Sequence, residues 1–272
     1  MTATPEWPDN IWVIGCGNMG GAILQAWLDL GLPQGNLSVV TASGRRLDNG
    51  IQTRDHLPET GSPDLVLFAV KPHMVDDVAP ELAPRLGPAS CLVSILAGTE
   101  LEILRDRFPA ADTIVRVMPN MAVTLGKSPM VMIAENDDAA LKDRMNVLFA
   151  PLGPPEWLEN EDQMHLATAL SGSGPAFLFR FIDALASGAK QLGMPQDQAA
   201  RLAIAMVEGA AELAARSDHD PGTLANQVAS PNGVTRKGLD VMDADGRANI
   251  LMQDVLKAAM ERNIEMAEEA RK

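Results

Sequence analysis

The sequence predicts a two-part α/β chain: a mostly parallel sheet flanked by helices, then an all-helical second half. Three observations carry this prediction. A short apolar run, Ile11 to Ile14, leads straight into Gly15, Gly17 and Gly20 at G-x-G-x-x-G spacing, and an apolar face at helical spacing follows. Further apolar runs of strand length then alternate with helical periodicity as far as about residue 160. From Glu161 the strand signals stop, and alanine-rich helical periodicity continues to the C-terminus. The expected division is therefore a Rossmann-type dinucleotide-binding domain over residues 1–160 and a helical domain over 161–272.

Each glycine of the first turn has a mechanical task in such a domain. Gly15 permits the tight strand-to-helix turn, Gly17 lets the backbone approach a pyrophosphate, and Gly20 lets the helix pack against the strand. The helix beginning near Met19 then aims free N–H groups and a positive dipole end at the phosphates. Leu37 to Val40 reads as the second strand. Where a domain of this kind that prefers NAD carries an acid, about 20 residues past the glycines, this chain has Thr41-Ala42-Ser43-Gly44-Arg45-Arg46 and no acid before Asp48. A hydroxyl and two arginines suit a 2′-phosphate, so NADPH is the expected cofactor, with NADH possible. Asp64 to Val70 is a continuous apolar strand that ends in Lys71-Pro72, which puts a lysine at the ligand side of the sheet.

A helix is expected over Met74 to Leu86, a strand over Cys91 to Ile95, and a helix over Glu100 to Phe108. Strands over Thr113 to Met118 and Pro129 to Ala134 and a helix over Ala139 to Ala150 complete the first domain. His73 belongs to the first turn of its helix. The segment Met1 to Pro8 has neither the positive charge nor the apolar length of a signal peptide, and a frayed tail is expected there.

The formal net charge of −14 argues against a nucleic-acid or anionic-membrane partner. An acidic protein that binds an anionic cofactor must place its positive groups locally, which directs attention to Arg45, Arg46, Lys71 and Arg116. Cys16 and Cys91 have no C-x-x-C partner and no metal-type spacing to histidine. No metal is expected, and the two thiols suit a reduced, cytoplasmic protein. No apolar run is long enough to span a membrane.

In the helical half, Asp162 to Leu192 reads as one long helix or a broken pair, interrupted at Ser171-Gly172-Ser173-Gly174-Pro175. Inside a helix each glycine would cost about 1 kcal/mol and the proline about 3, so this run is a hinge or a place of close backbone approach. Helical pieces follow over 196–216, 223–228, after Asn232-Gly233, and 249–270. The turn Ser230-Pro231-Asn232-Gly233-Val234-Thr235 opens a helix and offers N–H groups to an anion. A helical tail hydrophobic on more than one face needs a partner, so a homodimer or larger homo-oligomer is expected.

Taken together, these motifs resemble those of the pyrroline-5-carboxylate reductase family. The resemblance rests on Gly15-Cys16-Gly17-Asn18-Met19-Gly20, Ala69-Val70-Lys71-Pro72, Arg116-Val117-Met118-Pro119-Asn120, Leu170-Ser171-Gly172-Ser173-Gly174-Pro175-Ala176 and the turn at Ser230, in this order. It implies reduction of the cyclic imine L-1-pyrroline-5-carboxylate to L-proline with NADPH or NADH, the last step of proline synthesis. It also implies a helical domain that interlocks with that of a second subunit. Carried over by position, the phosphate-binding turn is Ile14 to Met19, and the cofactor loops are Ser43 to Arg46, Ala69 to Pro72, and Leu96 with Ala97. The substrate turn becomes Asn232, Gly233, Val234 and Thr235, while Glu161 and Asp218 align with acidic positions near the substrate in relatives.

This turn departs from the family's S-P-G-G-T-T or S-P-G-G-A-T. Asn232 stands for a glycine, and Asn is the residue that best tolerates a left-handed backbone after glycine. Val234 stands for a small residue, Gln227 is a mild variation, and Thr235 is retained. The Thr235 hydroxyl is the expected catalytic contact to the ring nitrogen, and no protein general acid is assigned, because an imine that arrives protonated needs none. Other readings of the same architecture are a different imine reductase, a β-hydroxyacid dehydrogenase-like enzyme, for which Lys190 is the candidate helix lysine, and a non-catalytic NADP-binding sensor.

Overall fold

A computed structural model of the chain describes residues 6–271. The strands β1 (Ile11–Ile14), β2 (Leu37–Val40), β3 (Leu65–Phe68), β4 (Cys91–Ser94), β5 (Thr113–Met118), β6 (Met130–Ala134) and β7 (Pro155–Trp157) form one sheet. Their order is β2-β1-β3-β4-β5-β6-β7. From β2 to β5 neighbouring strands are parallel; β6 runs antiparallel to β5, and β7 parallel to β6. Ile11 lies between Leu37 and Leu65, so β1 is flanked by strands reached in opposite directions. That reversal makes the crevice above the C-terminal ends of β1 and β3 the expected ligand site of a doubly wound sheet.

The strands are mostly apolar because both faces of the sheet are covered. Ile11, Val13, Leu65, Leu67, Cys91, Val93, Val115 and Val117 face one core. It is closed by α1 (Asn18–Asp29), through Ile23, Leu24 and Trp27, and by α4 (Ala139–Phe149), through Leu141, Met145, Leu148 and Phe149. The alternate residues Trp12, Ile14, Val66, Phe68, Leu92 and Ile114 face the other core. That side is closed by α2 (Val75–Leu82) and α3 (Leu101–Arg107). Period-two alternation between two buried faces leaves little room for polar side chains, which is why runs such as Leu65–Phe68 read as unbroken. Trp27 Nε1 donates to Leu148 O at 3.0 Å and ties α1 to α4.

Three local expectations are corrected. The helix expected over Met74 to Leu86 is a 3-10 turn at Pro72–Met74, then α2, then a second 3-10 turn at Ala83–Arg85. Pro80 and Pro84 each lack a backbone donor, so the α ladder is short. The edge strand β7 was not expected; it begins with Pro155, which an edge strand tolerates. Of the expected frayed tail, residues 1–5 lie outside the described residues. Trp7 packs edge-on against Trp27 with ring centroids 6.0 Å apart, and Asn36 Nδ2 donates to Pro8 O at 2.9 Å, so the tail is anchored from Trp7 on.

The later helices are α5 (Glu161–Ala167), α6 (Gly174–Gln191), α7 (Gln196–Arg216), α8 (Pro221–Val228), α9 (Val234–Asp243) and α10 (Arg247–Ala270). The interrupted helix is therefore a broken pair, α5 and α6, with a π turn at Thr168–Gly172. The chain separates into two compact units, one running to Gly172 and resuming at Ala259, the other Ser173–Ala258. This differs from the division expected after residue 160. The reason is chemical: α5 supplies Glu161 and His165, and the end of α10 supplies Asn263 and Arg271, to buried polar contacts of the first unit.

Candidate active site

A cleft of about 840 Å³ opens in the first unit at the reversal of strand order. Its floor is Ile14 to Gly20, the end of β1 and the glycine turn. Gly15 has φ +84°, and a Cβ there would lie 2.6 Å from Ala69 O. A Cβ on Gly20 would lie 2.8 Å from the Ala69 Cβ, so both positions exclude side chains by contact. A Cβ on Gly17 would meet nothing within 4 Å. The space above Gly17 is thus free for a ligand, and α1 starts there with no side-chain cap and no acid in its first turn. These residues fit a dinucleotide pyrophosphate on its own terms: bare N–H groups, a positive helix end and no competing anion.

One wall is Val40 to Ser43 with Arg45, held by a short chain segment that runs beside β2. Thr41 N donates to Arg54 O at 2.8 Å, Thr53 Oγ1 to Arg45 O at 2.6 Å, and the Thr41 and Thr53 hydroxyls meet at 2.9 Å. Arg46 is not part of this wall. Its Nε donates to Gly50 O at 2.8 Å, which pins the guanidinium to its own hairpin. On the far side, Ala69, Val70 and Lys71 line the cleft, while Pro72 turns the chain into its 3-10 helix. The structure brings Ile95 to the cleft rather than Leu96 and Ala97; the Leu96 side chain is buried in the α2/α3 core.

The wall also carries groups that the sequence did not single out. Asp55, His56 and Leu57 line it from the segment after Arg54, as do Met74 at the end of the 3-10 turn and Asp77, Val78 and Glu81 of α2. Met74 and the three α2 residues lie at i, i+3, i+4 and i+7, a single helical face that periodicity could have marked. Nothing in the irregular stretch around His56 would have. His56 Nδ1 meets Asp55 Oδ1 at 2.6 Å, and this hydrogen bond holds the Asp55 carboxyl below the usual carboxylate range.

The turn expected to hold substrate lies in the second unit. Asn232 takes φ +61°, the left-handed conformation its identity suggested. A Cβ on Gly233 would fall 2.3 Å from Ser230 Oγ, and Gly233 N donates to Ser230 O at 2.9 Å. Gly233 is the residue before α9 and leaves that helix start without a side-chain cap. Val234 and Thr235, the first residues of α9, are exposed. Asp218 is exposed in the α7–α8 connection, where its neighbour Asp220 caps α8 through Thr223 N at 3.0 Å.

Glu161 opens α5 in the first unit. Its Oε2 pairs with Arg116 Nη1, and its Oε1 accepts the Leu101 N–H at 2.8 Å. Arg116 is 1 % exposed on β5; burial pushes its guanidinium below the usual value, and Glu161 and Glu100 oppose that shift. Asn120, at the end of the same Arg116 motif, donates from Nδ2 to Ser171 O at 2.9 Å and so satisfies a carbonyl released by the π turn. Lys190 lies in the last turn of α6 and donates to Gln196 Oε1 at 2.7 Å. Among the described residues no three His, Cys, Asp or Glu side chains gather as a metal site, and no helix is long and apolar enough to cross a membrane.

Two stretches of the chain match known families. Residues 161–266 match the family described as pyrroline-5-carboxylate reductase dimerisation, and residues 10–98 match that described as NADP oxidoreductase, coenzyme F420-dependent. The chain is 30 % identical over 270 residues to a pyrroline-5-carboxylate reductase of Pseudomonas aeruginosa, covering 94 % of this chain and 96 % of that protein. It is 36 % identical over 199 residues to a protein of the same name from Glycine max, covering 72 % and 71 %. Among solved structures it is similar to a pyrroline-5-carboxylate reductase from Coxiella burnetii, with TM-score 0.85, 28 % identity, and coverage of 96 % and 99 %. The fold also matches a Plasmodium falciparum pyrroline carboxylate reductase solved with NADP bound, with TM-score 0.78, 24 % identity, and coverage of 95 % and 98 %.

Proposed function

This chain belongs to the pyrroline-5-carboxylate reductase family, and from that premise we propose that it reduces L-1-pyrroline-5-carboxylate to L-proline with a nicotinamide cofactor. What carries the reading is that one chain holds both the glycine-floored cleft and, over residues 161–266, the match to the reductase dimerisation family. When bound, the reduced nicotinamide supplies the hydride that the imine carbon accepts. The chain's own contribution is positioning. The glycine turn and the start of α1 hold the pyrophosphate, and Lys71 adds a positive charge at the same rim. Ser43 and Arg45 favour the 2′-phosphate of NADPH, and the absence of an acid directly after β2 supports that preference.

The uncapped N–H groups at the start of α9 suit the substrate carboxylate, and the Thr235 hydroxyl suits the ring nitrogen. Two copies associate through the helical region, giving a homodimer or a larger assembly. Two free thiols fit a reducing cytoplasm.

The test is direct. NADPH oxidation is followed with pyrroline-5-carboxylate, with a six-membered cyclic imine and with a panel of ketoacids. Turnover with the five-membered imine at least as fast as with any other compound supports the proposal. Turnover of ketoacids alone would replace it with a hydroxyacid dehydrogenase, and NADPH binding without any turnover with a sensor.

A further inference from the structure

The loop between β4 and α3 is held by more buried charge than a surface connection needs. Arg116 Nη2 points at Leu96 O from 3.5 Å, while its Nη1 pairs with Glu161. Glu161 in turn accepts the Leu101 N–H, so one carboxylate joins the start of α3 to the middle of the sheet. Arg116 Nε has no partner, and a buried guanidinium left partly unsatisfied is a costly way to fill a core. Gly98, between the two anchored ends, has φ +69°, and a Cβ there would lie 2.8 Å from the Met266 Cβ. Glu100 is also buried, with its carboxylate between His165 Nε2 at 3.2 Å and Arg271. Asn263 Nδ2 lies 2.9 Å from His165 Nδ1.

The position of this loop along the cleft gives the clamp a function. The wall after β2 takes the adenosine ribose in a domain of this kind. The other half of the cofactor must then extend past the glycine turn toward the end of β4, where Ile95 lines the cleft. We infer that Arg116 and Glu161 are positioning residues that set the height of the β4–α3 loop and thereby seat the nicotinamide half of the cofactor. The inference rests on the dinucleotide reading above. It assigns Glu161 to the cofactor side of the reaction rather than to direct contact with substrate.

The test uses the full chain and compares two ligands, NADPH and 2′,5′-ADP, which carries the adenosine half alone. Arg116→Met/Glu161→Met removes both charges together at nearly constant volume and leaves no charge buried alone. Glu161→Asp keeps the charge pair but draws the carboxylate back by one methylene, so it cannot reach Arg116 and the Leu101 N–H at once. In both, 2′,5′-ADP should bind within about twofold of wild type, as expected for sites that share no partner. NADPH should bind more weakly, and kcat should fall about tenfold to a hundredfold, the scale of a reactant misplaced by an ångström. Glu161→Asp should lie between wild type and the double variant. Equal weakening of the two ligands, or no change in either, would overturn the inference. Should the double variant fail to fold, the same comparison in Glu161→Asp decides. If wild type binds both ligands yet does not reduce the imine, the proposed reaction fails, while the difference between the two ligands still tests the clamp.

Discussion

Thr235→Val removes a hydroxyl and keeps the branched outline, so it isolates one hydrogen bond at the start of α9. A bond to a charged or charge-developing nitrogen is worth about 1.5–3 kcal/mol, which corresponds to a loss of roughly tenfold to a hundredfold or somewhat more in kcat/KM. NADPH affinity should hold, and Thr235→Ser should recover most of the rate; wild-type efficiency in Thr235→Val would move the role to the backbone N–H groups. The two arginines after β2 should separate as well. Arg45 lines the cleft while Arg46 is bonded to Gly50 O. Arg45→Ala should therefore raise the KM for NADPH with little change for NADH, and Arg46→Ala should change neither; equal effects on both cofactors would rule out a 2′-phosphate contact. Cys91 adds a pH signature. Burial pushes its thiol up to about 12 from an ordinary 9.0. The folded chain keeps that proton over a range in which the unfolded chain releases it, so stability falls as pH rises from about 9 toward 12. Urea unfolding at pH 8 and pH 10 should show this loss in wild type and a smaller one in Cys91→Ala.

At the scale of elements, the turn before α9 shows how a residue type can announce a conformation. Asn232 sits at φ +61° where a relative would carry glycine. A β-branched side chain there meets the left-handed penalty of about 1–2 kcal/mol. Asn232→Val should therefore lower the urea midpoint, whereas Asn232→Gly should be near neutral, the two differing only in what the backbone tolerates. This turn was legible because Ser-Pro-Asn-Gly is chemistry written into adjacent residues. The five parallel strands were legible for a related reason: runs such as Asp64 to Val70 need no polar position when both faces are buried. What stayed hidden depends on neighbours remote in sequence. β7 is three residues starting with proline, too short for any period, and exists because β6 offers it an edge. Glu161 reads as an acid near substrate, and its partners, buried Arg116 and the Leu101 N–H, lie 45 and 60 residues away along the chain.

The whole molecule poses a problem that a single copy does not solve. Within Ser173–Ala258 the buried apolar cluster is Ala186, Ala199 and Ala203, far too little to hold helices of this length together. On the same helices Phe179 is 68 % exposed and Leu213 71 %, with Leu202, Ile204, Met206 and Leu251 also exposed. Apolar surface of this extent marks an interface, and the match of residues 161–266 to a dimerisation family agrees with it. The association then joins two chains of net charge −14 each, so electrostatics oppose it while apolar burial drives it. The two terms respond oppositely to salt. Screening at higher ionic strength weakens repulsion between exposed charges and leaves apolar burial intact. Sedimentation velocity over a dilution series should therefore show the assembly persisting to lower protein concentration in 0.5 M salt than in 0.05 M salt, on the order of a several-fold shift in the dissociation constant. An interface held by ion pairs would loosen with salt instead. A folded, active monomer at any salt concentration would mean that the exposed face of α6 and α7 serves some partner other than a second copy. The charge-introducing control is Ile204→Lys: one buried cation per copy at an apolar interface should dissociate the assembly, and activity and sedimentation coefficient should fall together.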